Sequence, residues 1–340
     1  MKAIKDRLRR SSTDQNLFST EGAIGMKILS DPSNSSLDIV FVHGLTGNRE
    51  TTWTHKKGTC WPQDLLVGDF PAARIMTFGY DVDVAGLSTI SSSNRLYDHG
   101  QSLAYALVSQ RENFPTRPIL FIAHGFGGLV CQQALILSTQ VDGLWQISNY
   151  AVGIIFMGTP HHGSSLAFHG ERLTRYIKAS HIAKKETVGT NPGPNDLQRV
   201  GTGFQSMLRR GDISLEVFCF YEAKQINDAV GRIVEEDSAV LRGYKNCSIE
   251  ANHFNMAKFS GRLDAGYEHI QTLIASLIAT SRKENEADIT GTPNQASVGS
   301  SINTPCPGSP SSTNYTLHGH TGYNGFQGAS SSSFSNFTFT

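Results

Sequence analysis

Three stretches of this chain carry groups that perform acyl-transfer chemistry when they are brought together. His253 lies in Asn252-His253-Phe254-Asn255-Met256-Ala257-Lys258-Phe259, directly after the short apolar segment Cys247–Ala251. Glu222 ends the apolar run Ser214–Glu222. Ala123-His124-Gly125-Phe126-Gly127-Gly128 is a glycine-rich corner between the apolar run Pro118–Ala123 and a helix-like segment reaching Leu137. An imidazole base, a carboxylate that holds its tautomer and a sharp turn that presents a nucleophile are the parts with which serine hydrolases cleave esters. Asp237 is a second candidate for the acid, although a solvated acidic turn accounts for Glu235-Glu236-Asp237 equally well. His253 also reads as a surface-loop histidine bonded to backbone. The turn of a Gly-x-Ser-x-Gly motif carries its serine where this chain has Gly125, so base and acid are present and the attacking oxygen is not. Ser164 and Ser165 sit in a different loop and do not replace it. A water activated by His253 would attack orders of magnitude more slowly than a serine.

An oxyanion hole needs backbone N–H groups rather than side chains. The residue after the nucleophile position, Phe126, supplies one, and Leu45 in His43-Gly44-Leu45-Thr46-Gly47 supplies the other. Glycines beside both permit close backbone approach to a ligand.

These loops need rigid elements to aim them. Leu37–Val42, Ala73–Gly79, Pro118–Ala123, Ala151–Met157 and Ser214–Glu222 are apolar runs of strand length, and Ile24–Leu29 reads as a first strand. Asn94–Gln110 has helical spacing of Leu96, Leu103 and Leu107, and Tyr267–Ile278 reads as a closing helix. Apolar strands alternating with amphipathic helices predict an α/β fold with a mostly parallel, doubly wound sheet and a site at the strands' carboxyl ends. Residues 166–212 read as helix, long polar loop and helix, with the character of a helical lid insertion.

The 340 residues include 29 Lys plus Arg and 29 Asp plus Glu, a formal net charge of zero with no long basic run, which argues against nucleic acid as a partner. No window approaches the length of a membrane span, so any membrane contact is peripheral. The five cysteines are scattered, with no CxxC pair, and read as reduced thiols of a cytoplasmic protein, Cys131 and Cys219 as core fillers. No metal-ligand cluster or cofactor fingerprint stands out. The domain plan is a flexible lead over 1–22, a catalytic-type domain over 23–282 and a disordered tail over 283–340, where Ser, Thr, Gly, Asn and Pro dominate.

Val40-Phe41-Val42-His43-Gly44-Leu45, His124-Gly125-Phe126-Gly127-Gly128, Met157-Gly158-Thr159-Pro160-His161-His162-Gly163, Phe220-Tyr221-Glu222, Asp237-Ser238-Ala239 and His253–Phe259 together resemble the lipase-like serine esterases of the α/β-hydrolase fold. More closely they resemble the branch found as N-terminal domains of fungal NOD-like receptors and as stand-alone proteins encoded beside them. The resemblance spans roughly residues 25–280. It implies that Gly125 occupies the nucleophile position, Glu222 is the acid and His253 the base, that a lipid or other ester is the ligand, and that no cofactor is needed. It also implies a NOD-like receptor as partner, reached through the tail. Residues 315–340 interleave Tyr323, Phe326, Phe334, Phe337 and Phe339 with Gly, Asn and Gln, a composition suited to β-templated, amyloid-type signalling, although a floppy Ser/Gly-rich terminus has a similar appearance.

Overall fold

A computed structural model describes residues 24–81, 93–162, 172 and 194–290. Seven strands form one sheet: β1 (Gly25–Ser30), β2 (Leu37–Val42), β3 (Ala73–Gly79), β4 (Ile119–His124), β5 (Ala151–Met157), β6 (Glu216–Glu222) and β7 (Lys245–Ile249). Their order is β1-β3-β2-β4-β5-β6-β7. All neighbours pair in parallel except β1, which runs antiparallel to β3 at the edge. The described α-helices of four or more residues are α1 (Ser93–Gln110), α2 (Phe126–Ser138), α3 (Trp145–Tyr150), α4 (Pro194–Arg210), α5 (Glu236–Ala239) and α6 (Ala265–Thr290).

The central strands are buried throughout because both faces of the sheet are covered. Every residue of β2, β3 and β4 is buried, whereas edge strand β1 is only half covered. Side chains alternate between the faces. Val40, Met76, Phe121 and Phe156 join one core with Leu103 of α1, Leu129 of α2 and Phe204 of α4. On the opposite face, the rings of Trp53 and Trp61 each lie 5.0 Å from that of Phe41, and Phe259 and Tyr267 pack edge-on against Trp61. Cys131 and Cys219 are free thiols buried in the core.

Residues 194–210 of the expected insertion form helix α4, which buries Val200, Phe204 and Met207 in the core shared with α2. Residues 163–171 and 173–193 lie outside the described residues, as do 1–23 and 291–340. Helix α6 runs on to Thr290, since Lys283-Glu284-Asn285-Glu286-Ala287 contains neither Gly nor Pro and the first glycine beyond is Gly291.

At the amino end of β2 the fully buried carboxylate of Asp38 meets three arginines. Arg74 grips it through Nε and Nη2, each at 2.8 Å, Arg117 Nη1 donates at 3.0 Å, and Arg111 Nη1 also bonds it. This ties β2 and β3 to the end of α1 and the entry to β4. Asp38→Asn would leave three buried guanidinium groups without a counter-charge, and we expect a loss of about 3–5 kcal/mol in unfolding free energy. A urea midpoint that moves by less than the equivalent of about 1 kcal/mol would contradict this.

Candidate active site

The carboxyl ends of β2, β4, β5 and β6 and the loop after β7 place the singled-out residues. The turn from β4 into α2 hinges on Gly125, at φ +52° and ψ −123°. A side-chain-bearing residue is strained there, by about 1–3 kcal/mol, and glycine is not. The corner is tight on every side. A Cβ on Gly127 would come within 2.3 Å of the His43 carbonyl oxygen, and one on Gly128 within 2.1 Å of Thr159 Oγ1. These two glycines let the first turn of α2 nest between the ends of β2 and β5.

A Cβ built on Gly125 points at the imidazole of His253, 3.2 Å from Nε2, and lies 3.8 Å from the Cα of Gly44. Position 125 therefore faces both His253 and the loop that carries Leu45. His253 is buried, with its Nδ1 3.7 Å from Glu222 Oε1. That distance exceeds a hydrogen bond, and the carboxylate is instead held by backbone: Oε1 accepts the N–H of Val234 at 2.6 Å and Oε2 that of His253 at 2.8 Å. Glu222 thus grips the histidine loop by its main chain and faces the imidazole with its side chain. Burial raises the Glu222 carboxyl to about 7, against the opposing pull of the N–H groups of Val234 and His253. The other acid candidate, Asp237, is exposed in the first turn of α5. Phe126 opens α2 and is buried, and Leu45 is half-buried.

The histidine loop reveals residues that the sequence reading did not assign. Gly158, at φ +62°, follows β5, and a Cβ there would lie 3.0 Å from His253 Nδ1, so the motif Gly158-Thr159-Pro160-His161 leaves room for the His253 ring. Its glycine was the available signal. His161 is buried. It accepts a 2.8 Å bond at Nδ1 from the Gln132 amide, sets Nε2 3.8 Å from Cys219 Sγ and is lowered to about 3 by burial. His43 donates from Nδ1 to the Gly44 carbonyl at 2.8 Å, stacks on Tyr80 and is lowered by burial to about 4. A cleft of about 650 Å³ between α2 and α4, lined in part by Gln140, Arg199, Thr202 and Arg210, includes none of Gly125, Glu222 and His253.

No family model matches the chain. Among curated proteins, it is similar to Protein SERAC1 of Bos taurus, 27% identical over 240 residues that cover 65% of this chain and 36% of that protein. Protein SERAC1 of Homo sapiens is 26% identical over 240 residues, with the same coverage of 65% and 36%. The chain thus spans about a third of the length of the curated relatives it matches. Among solved structures, the mature lipase BlEst2 of Bacillus licheniformis aligns with TM-score 0.49 and 20% identity over 74% of this chain and 97% of that one. Esterase B from Lactobacillus rhamnosis aligns with TM-score 0.44 and 11% identity over 84% and 96%. The strand order, the positive-φ glycine between β4 and α2, and the histidine loop after β7 make this an α/β-hydrolase fold.

Proposed function

We propose that the chain binds a lipid or other ester ligand in a serine-hydrolase-type site that keeps its base, His253, and its acid, Glu222, but holds Gly125 where the nucleophilic serine belongs. The direction of position 125, whose Cβ would lie 3.2 Å from His253 Nε2, carries this reading. An Oγ one bond beyond that Cβ would be within hydrogen-bond reach of the imidazole, which would take its proton during attack on the ester carbonyl. The N–H groups of Leu45 and Phe126 would receive the carbonyl oxygen. With Gly125 no acyl-enzyme forms, and what remains is ligand binding with slow, water-dependent turnover at most.

The motif resemblance extends the proposal to its setting: a protein of a fungal immune or incompatibility system whose tail, 315–340, meets a NOD-like receptor through a templated β-assembly. The aromatic, glycine and asparagine content of that tail supports this part. Titration of the purified chain with a short-chain ester tests the binding site: we expect saturable binding, abolished by crowding the site with His253→Trp, and at most slow, water-dependent product release. Efficient ester hydrolysis by the Gly125 chain, or a complete lack of binding, would overturn it.

A further inference from the structure

His124 stands one residue before the nucleophile position, buried at the end of β4, and the chemistry outlined above does not use it. Its Nε2–H donates to the main-chain carbonyl of His253 at 2.8 Å, a contact between residues 129 positions apart. Its ring lies 4.7 Å from the His253 ring, tilted by 42°. On its other side, a Cβ on Gly44 would meet His124 Nδ1 at 2.9 Å and its carbonyl oxygen at 3.1 Å, so Gly44 is glycine where the oxyanion loop passes over this histidine. One imidazole therefore touches the loop that carries the base and the loop that carries Leu45, while its own backbone leads into the turn at position 125.

We infer that His124 is the positioning residue of the site: it holds the His253 loop at the height at which Nε2 faces position 125, and it fixes that loop relative to Gly44-Leu45. This rests on the proposed roles of Gly125 and His253. The arrangement is doubly pinned. Glu222 holds the N–H of His253 and His124 holds its C=O, so the peptide units on both sides of the base are fixed by side chains from β6 and β4. The donor role requires a proton on Nε2, and since burial lowers this histidine to about 4, at neutral pH it is the neutral ring that carries its proton there. Of the other groups around it, Lys258 opposes its charging further, and the His253 carbonyl favours it.

The test compares His124→Phe, which keeps the volume and loses the donor, with His124→Gln, whose amide donates at a similar reach. In the otherwise unaltered chain, the ring signals of His253 are read by NMR of histidine-labelled protein. We expect one sharp set in the parent and in His124→Gln, and broadened or doubled signals in His124→Phe. In a Gly125→Ser background we expect His124→Phe to lower kcat on a short-chain ester by about 10–100-fold with KM changed less than about 3-fold, and His124→Gln to recover most of that loss. A single sharp His253 set in His124→Phe, or a loss that His124→Gln shares in full, would reduce His124 to core packing and overturn the inference. If the Gly125→Ser background is itself inert, the proposed reaction fails, and the NMR comparison still decides the role of His124.

Discussion

Gly125→Ser is expected to turn the chain into an ester hydrolase, raising kcat/KM on a short-chain ester by at least about a thousandfold. The magnitude follows from serine hydrolases, in which losing the nucleophile alone forfeits most of the rate and leaves only what binding and the oxyanion hole supply. The geometry at position 125 makes this substitution informative. The Cβ arrives already aimed at His253 Nε2, at 3.2 Å, so the ring has to yield by only a few tenths of an ångström. The backbone at φ +52° stores strain that glycine does not feel, and the variant should lose about 1–3 kcal/mol of stability while gaining activity. His253→Ala in that background should return the rate to near the parent level. Glu222→Gln should cost less, because Glu222 acts by orienting the base. Initial rates against ester concentration, with circular dichroism to establish folding, check all three.

Acid should unfold the protein cooperatively between about pH 5 and pH 4. His43, His124 and His161 are buried and lowered by that burial to about 4, about 4 and about 3. Unfolding returns each to an ordinary value near 6.5, so below that pH the unfolded chain takes up protons that the folded chain refuses. Folded values depressed below the unfolded one mean stability that is complete above about 6.5 and drains away as pH falls towards the folded values. At about pH 5 each histidine costs about 2 kcal/mol, or about 6 for the three, on the basis of 1.36 kcal/mol per pH unit. Glu222 works in the opposite sense. Its carboxyl is raised to about 7, so the folded state gains as pH falls from there towards its unfolded value near 4.5. That gain reaches about 3 kcal/mol and stops, whereas the histidine loss grows to about 9 kcal/mol by pH 4. The net loss of about 6 kcal/mol compares with a usual domain stability of 5–15 kcal/mol. Fluorescence of the buried Trp53 and Trp61 followed against pH reads the transition. A chain with the same thermal midpoint at pH 4 as at pH 7 would contradict the expectation, and His161→Gln should move the transition to lower pH.

Much of the scaffold is legible in the sequence because its central strands are buried on both faces. Leu37–Val42 and Ala151–Met157 are near-continuous apolar runs that fit little else. Where burial is partial, the reading slips. Strand β7 covers Lys245–Ile249 rather than Cys247–Ala251, since its first two residues are exposed and polar. The antiparallel pairing of β1 on β3 is equally invisible, because an edge strand with a half-covered pattern does not encode its direction. The site divides along similar lines. Gly125, Glu222 and His253 stand out as residue types at strand ends. The grip of Glu222 on the His253 N–H, the bond from His124 to the His253 carbonyl and the ring of arginines around Asp38 do not, because each joins segments at least 31 residues apart that only the closed sheet brings together.

The central claim is that the site lacks one side chain and is otherwise assembled. Its most direct test is the intact mass of the protein after exposure to a fluorophosphonate, which phosphonylates an activated serine and releases fluoride. The Gly125→Ser variant should gain a single adduct, mapped to position 125, at a rate that collapses with the additional change His253→Ala, while the parent chain gains none. A folded Gly125→Ser variant that stays unlabelled, or a parent chain that is labelled as readily, would contradict it.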